Sequence, residues 1–494
     1  MHLRAVRWGW WLIYAVWTVM AALLLSGLWN KPQGSLRAPE ELLGGVKLPG
    51  EESWMGIYLK AAKIGYVHSV LTQLGGGYEI REESVMSAAL MGVQQEMKVN
   101  LTVLTDSTLA LKAFDGSIES GAYPTRFSGH LEGRVLSVEV TAGGTTNERF
   151  LPAPEPLYVS QAIKPLIQAG RLGEGDSLKL SGFDPVAMEM QELVVTGAAL
   201  KQVQLLGEDR VARVLKTRMG EYESQMWVDE EGNSLLELGP MGLLMRREPP
   251  EKAMAGLEGA PQVDFAGEFS IVPTGDIPAP RKTQLVRMRV TGIALESLQA
   301  ASDRQRIVDL ADSVVEVSIA PLHPHELDWD GSAHRWLKDA PFIESRSPLI
   351  REAAEKAVSE GTDRLDSLEK LSDWVFQTVE KKPSAGIPSA LAVLQAKVGD
   401  CNEHTALFTA MARSLDIPCR MELGVVYQQG QFYYHAWPAV WVDARRGWVE
   451  FEPTFGLKRA DAARLAFAAG DLSDAARLAG VIGKVEIAIL QVNE

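Results

Sequence analysis

From Trp8 to Trp29 the chain carries no charged residue (WGWWLIYAVWTVMAALLLSGLW). At about 1.5 Å rise per residue, a helix over that stretch spans roughly the 30 Å hydrocarbon core of a bilayer. Such a segment belongs in lipid, and it dictates where everything after it must fold. Trp8, Trp10 and Trp11 at one end and Trp29 at the other suit the two membrane interfaces. Arg4 and Arg7 precede the stretch, and Lys31 and Arg37 follow it, so charge gives only a slight orientation bias. The short tail of residues 1–7 favours the N-terminus inside and the bulk outside. A cleaved signal peptide is the rival reading, but the apolar run is long for one and no clear A-x-A cleavage signature follows it. The expectation is a single-pass anchor in the cytoplasmic membrane, with the bulk of the chain on the periplasmic or extracytoplasmic side.

At 494 residues the rest is too long for one hydrophobic core, so two or three domains are expected. The formal net charge of -15, with no basic patch standing out, argues against a nucleic-acid partner. Residues 30–52, rich in Pro and Gly, read as a linker. Over 53–262 the pattern turns to strands: Met97, Val99, Leu101 and Val103 alternate with Lys98, Asn100 and Thr102, the period of a half-buried antiparallel strand. Turn signals such as Gly75-Gly76-Gly77 and Asp229 to Asn233 separate such runs, and one helix, roughly Tyr158 to Gly170, interrupts them. No catalytic set stands out there. A smaller β-rich segment and a proline-rich joint occupy 263–340; His323, His325 and His334 lie in that joint and read as surface residues.

Helical periodicity begins after Pro341, with Ser347-Pro348 as N-cap and first helical residue. Further helices are expected near Leu365 to Val379 and Ser389 to Lys397. One more starts at Gly399-Asp400-Cys401-Asn402-Glu403-His404-Thr405 and runs to about Leu415. A thiol in the first helical turn sits among unpaired N–H groups at the positive end of the helix dipole, which favours thiolate. Strands follow over Met421 to Tyr427, Tyr433 to Val442 and Trp448 to Phe451, then a helical stretch near Ala460 to Leu478 and a last strand, Lys484 to Val492. The domain carrying Cys401 is placed at 341–470, and 471–494 is its trailing helix end and strand.

A thiol nucleophile needs a base to take its proton, and the base needs a third group to hold its tautomer. His435 lies in one strand of the hairpin after the Cys401 helix, and Glu450 and Glu452 are expected on one face of the next. Cys401 and Cys419 invite a disulfide outside the cytoplasm, but Cys419 follows Ile417-Pro418 at a strand start and reads better as a buried apolar residue, leaving two free thiols. His404 reads as packing or hydrogen bonding. A zinc site from Cys401, His404 and His435 lacks paired-ligand spacing. No metal or cofactor is expected. Trp437 reads as strand packing, walling the site or donating its indole N–H to an oxyanion; the Cys401 backbone N–H is the safer oxyanion donor.

The Gly-Asp-Cys helix start, the Tyr-His-Ala-Trp strand and the Trp-Val-Glu-Phe-Glu-Pro-Thr strand end together resemble the transglutaminase-like superfamily of papain-like cysteine enzymes, over about Leu349 to Gly456. The β-rich region resembles the segment preceding such domains in anchored bacterial envelope proteins. The resemblance implies an α+β fold, helices packed on an antiparallel sheet, with Cys401 as nucleophile, His435 as general base and Glu452 as orienting carboxylate. It implies a protein or peptide substrate attacked through a thioester, resolved by water or by an amine, with envelope partners for the β-rich domain. The family usually places aspartate before Pro-Thr, where Glu452 stands here. The alternative is a weakened or inactive binding and assembly module.

Overall fold

The computed structural model describes residues 36–39 and 48–494, apart from short internal stretches of which the longest are 258–262, 319–331 and 383–388. The expected membrane span Trp8–Trp29, most of the linker, His323 and His325 lie outside the described residues. Among the described residues no helix is long and apolar enough to cross a membrane. His334 is exposed.

The N-terminal half is built on one large sheet, sixteen strands among the described residues. Its backbone is two antiparallel meanders, Glu51–Leu59 through Thr145–Pro152 and Ser177–Asp184 through Leu243–Arg247, joined where Leu243–Arg247 pairs with Glu51–Leu59. The alternation around residue 100 is used as the sequence suggests: Leu101 and Val103 are buried, with Met97 and Val99 packed against the same core. The sheet curls. Phe114 and Phe183, from distant strands, bring their rings within 5.5 Å, and the helix Ile163–Gly170 buries Leu166 and Ile167 in the same core. Each such side chain contributes about 1.5–3 kcal/mol of burial free energy, enough for the enclosed core to hold the curl.

In the C-terminal half a four-stranded antiparallel sheet runs Gly447–Glu450, Gln431–Asp443, Cys419–Gln428, Arg464–Gly470. The helices Pro348–Val358, Arg364–Thr378, Ala390–Ala396 and Cys401–Ser414 share one core with it, through residues such as Ile350, Leu371, Val393, Leu407, Met411 and Met421. A second core joins Val425, Phe432 and Leu465 of this sheet to Val286, Met288 and Val317 of a smaller sheet. The central strands therefore lie between two apolar layers. Arg304, Gln305 and Ser302 tie the layers together: Gln305 bonds the Leu298 and Ala466 carbonyls and accepts from the Ala466 N–H.

Two expectations are corrected. The stretch expected to be helical near Ala460 to Leu478 contains the strand Arg464–Gly470, paired with Cys419–Gln428. Much of it is buried on both faces, so it lacks the polar alternation that marks a one-sided strand, and its alanines mimic a helix. The C-terminal strand Glu486–Asn493 is no isolated tail either. It pairs with Leu285–Thr291, so residues 263–340 and 471–494 contribute to one sheet.

Candidate active site

The Cys401 helix starts abruptly because its capping residues act as a set. Asp400 accepts from the Asn402 N–H at 3.0 Å and from the Glu403 backbone, while Glu403 Oε2 folds back to accept the Asp400 N–H at 2.9 Å. A Cβ on Gly399 would collide with the Glu403 side chain, so glycine is what lets it fold back. Of the four N–H groups that a helix start leaves without intrahelical partners, the capping box takes three and leaves that of Cys401. Thr405, one turn on, donates its hydroxyl to the Ala436 carbonyl at 3.0 Å, and Phe408 packs on Phe451 with ring centroids 5.5 Å apart. This face of the helix is thereby held against the His435 strand, where the Ala436 backbone N–H is near enough to the Cys401 sulfur to favour its thiolate.

His435 Nε2 donates to Glu452 Oε2 at 2.8 Å. The imidazole is stacked between Trp437 and Phe455, with centroids 5.9 and 5.1 Å away and planes within 18° and 22° of parallel. With Nε2–H committed to Glu452, Nδ1 is the nitrogen left to accept a proton. Glu452 sits just past the strand Gly447–Glu450, in a turn closed by the Leu457 N–H on the Glu452 carbonyl at 3.1 Å and by Gly456 at φ +66°. Pro453 has no N–H, so the turn's next two amides, Thr454 at 3.0 Å and Phe455 at 3.3 Å, point at Oε1. Arg464 closes on Oε2. The longer glutamate side chain is absorbed by this position.

The two glutamates differ in partners. Glu450 binds Ser302, Arg304 and the Trp437 indole N–H, the last at 2.6 Å. That bond removes the Trp437 indole from the candidate oxyanion donors. His404 turns its Nδ1–H to the Asp400 carbonyl at 2.6 Å and is fully buried, so it braces the helix start. Cys401 and Cys419 are free thiols.

Burial pushes the Glu452 carboxyl up, but the Arg464 and His435 charges and the turn amides overcome it and hold it at about 2. Burial pushes His435 down, only partly offset by Glu452. The Cys401 thiol is pushed well up by burial and then by the Asp400 carboxylate, against the Ala436 N–H. The thiolate expected at a helix start is thus overruled, first by burial and then by the N-cap carboxylate at the same positive end of the dipole. The resting site holds a neutral thiol, a neutral imidazole and an ionised Glu452.

The sequence reading missed Arg464 and Asp461. Asp461 accepts from Arg281, from Arg464 at 3.3 Å and from the Ala463 N–H at 3.0 Å. A signal was present: these are the two charged residues, three apart, in the alanine-rich run Ala460 to Gly470.

Residues 351–453, which include Cys401, His435 and Glu452, match the model of the transglutaminase-like superfamily. Among curated proteins none matches the chain. Among solved structures, a β-barrel-like protein of a domain of unknown function from Brucella abortus is similar at 13% identity and TM-score 0.32, covering 41% of this chain and 96% of that one. A candidate cysteine protease from Cytophaga hutchinsonii is similar at 15% identity and TM-score 0.28, covering 43% of this chain and 84% of that one.

Proposed function

We propose that the chain is a membrane-anchored cysteine acyl-transfer enzyme, working outside the cytoplasm on amide or peptide carbonyls. The observation that carries this reading is the His435–Glu452 bond of 2.8 Å, which fixes the tautomer with Nδ1 as the proton acceptor. In the first step the Cys401 sulfur bonds to the carbonyl carbon as its proton passes to His435 Nδ1. The C–N bond then breaks and that proton leaves on the amine, giving a thioester. Water or a second amine attacks the thioester, His435 takes its proton, and the sulfur leaves and recovers it. Water makes the enzyme a peptidase or amidase, and an amine makes it a transamidase. The Cys401 backbone N–H, left over by the capping box, is the donor for the oxyanion. A neutral resting pair assigns His435 the role of general base during attack.

Support for the anchor is the uncharged stretch Trp8–Trp29. The curled β domain is proposed to meet envelope partners; deleting it would then abolish the cellular function. The test of the chemistry is thioester trapping and amide hydrolysis with Cys401→Ala and His435→Ala. Both variants are expected to lose both activities, and unchanged activity in both would sink the mechanism.

One observation favours a second reading, a binding or assembly module that keeps the fold without turnover: the Cys401 thiol is pushed up, away from its reactive form. Alkylation kinetics separate the two. An enzyme's thiol reacts in a way that depends on His435, and a merely structural one does not.

A further inference from the structure

Several charged side chains surround Cys401, His435 and Glu452. The anions lie inside: Glu452 is 0% exposed and Asp461 2%. Half-buried Asp400 spends its carboxylate on the amides of Asn402 and Glu403. Of the cations, Arg464 is fully enclosed and paired with Glu452, and half-buried Arg281 is paired with Asp461, whereas Lys381 reaches the surface. Lys381 is exposed, on a short strand that runs parallel to Val398–Gly399 and sets it opposite Gly399, two residues before Cys401. Its Nζ lies 4.1 Å from the centroid of the Phe455 ring, the same ring that stacks on His435. The Arg281 guanidinium lies 4.9 Å from that ring. An open cleft of about 230 Å³ meets the ring on the Arg281 side, lined also by Pro280, Gln428, Gln429 and Leu457 and not by Lys381. Among the described residues no carboxylate forms an ion pair with Lys381; partial burial lowers its pKa, and Cys401, Glu452 and Asp400 act on it only at longer range.

An ammonium resting on a ring face keeps outward N–H donors free for an anion. We propose that this rim is an anion-binding subsite, and that the acyl donor of the Cys401 centre carries a carboxylate within one or two residues of the attacked carbonyl. The strand register that sets Lys381 beside Gly399, two residues before the nucleophile, motivates this short offset, since an extended substrate residue advances by roughly 3.3 Å. A neutral donor lacks that contact and binds more weakly. The inference rests on the reading of Cys401 as the reacting centre.

The test is alkylation of the full chain with iodoacetate and with iodoacetamide, which present a carboxylate and a carboxamide on the same electrophile; in both, the sulfur displaces iodide. Modification at Cys401 is followed by mass spectrometry, with fully buried Cys419 as internal control. At neutral pH and low salt, the iodoacetate-to-iodoacetamide rate ratio at Cys401 is expected to exceed that of a free cysteine peptide by about fivefold or more, the scale of one charge-assisted contact. The excess falls as salt screens the rim. Lys381→Met returns the ratio to the peptide value, and Lys381→Arg keeps it. Attraction by a protonated His435 would survive Lys381→Met, so it is told apart. A wild-type ratio at or below the peptide's, a ratio untouched by Lys381→Met, or no alkylation by either reagent overturns the subsite. Failure of the underlying reading looks different: the iodoacetamide rate is then indifferent to His435→Ala, whatever the ratio.

Discussion

Arg464 and Glu452 form an ion pair in which both side chains are fully enclosed, and the same Glu452 oxygen receives the His435 Nε2–H. Enclosing two charges is costly unless each is paired and hydrogen-bonded. Here the carboxylate has a cation, an imidazole and two amides. The pair therefore makes Glu452 a fixed, permanently ionised acceptor rather than a flexible surface acid.

Removing the cation should unbalance this site. Arg464→Met is expected to destabilise the fold by about 3–5 kcal/mol, the range for a buried pair stripped of one partner, read from urea denaturation. Arg464→Lys retains a charge and should recover part of the loss. Equal stability for Met and wild type would mean that the pair adds nothing.

Glu452 sits where a carboxylate of its own length meets His435, so shortening it should do harm even though aspartate is the usual family residue. Glu452→Asp withdraws the carboxylate by about one C–C bond, and a displacement of about 1 Å is worth up to about 100-fold in rate. Glu452→Gln, which loses the charge, should cost about 10²- to 10⁴-fold. The check is the His435-dependent alkylation rate at Cys401, or turnover once an amide substrate is in hand; an Asp variant as fast as wild type contradicts the geometry.

Glu450 gives the opposite profile. Its partners Arg304, Ser302 and Trp437 join the two layers of the domain, so Glu450→Gln should lower stability by about 1–3 kcal/mol while changing Cys401 reactivity only a few-fold. Denaturation and alkylation measured on the same sample separate the two glutamates.

Acid should weaken the fold through the same residues. Glu452 falls from an ordinary 4.5 to about 2 on folding. A lowered carboxyl pKa gives stability that is complete above the unfolded value and is lost as pH drops from about 4.5 through about 2, in all about 3 kcal/mol. His435 is also lowered. The folded site resists its protonation, so stability begins to decline once pH falls below the ordinary histidine value of about 6.5. Denaturation midpoints of wild type and Glu452→Gln across this range test the sign: the variant should lose less between pH 4.5 and pH 2.

Much of the site was legible because it is written in local signals. The Gly-Asp-Cys helix start is a short local pattern, and His435 stands in a strand marked by its Tyr, Trp and Val content. Arg464 was hidden because the strand carrying it is covered on both faces, and its alanines read as a helix. The difference between Glu450 and Glu452 was hidden because it depends on Arg304 and Ser302, whose bonds to Glu450 span about 150 residues of chain. The thiolate expected from the helix start fails for a similar reason: burial at Cys401 is set by what packs on the helix.

The sequence by itself determined which residues make up the candidate site, the start of the Cys401 helix, the strand that bears His435 and the alternating β pattern near residue 100, because each depends on residues close together in the chain. Only the tertiary structure decided which glutamate meets His435, which charge holds it there, that the last strand completes a sheet begun some 200 residues earlier, and that the resting thiol is neutral. Those outcomes depend on desolvation and on charges brought together from distant segments, and neither is encoded in local spacing.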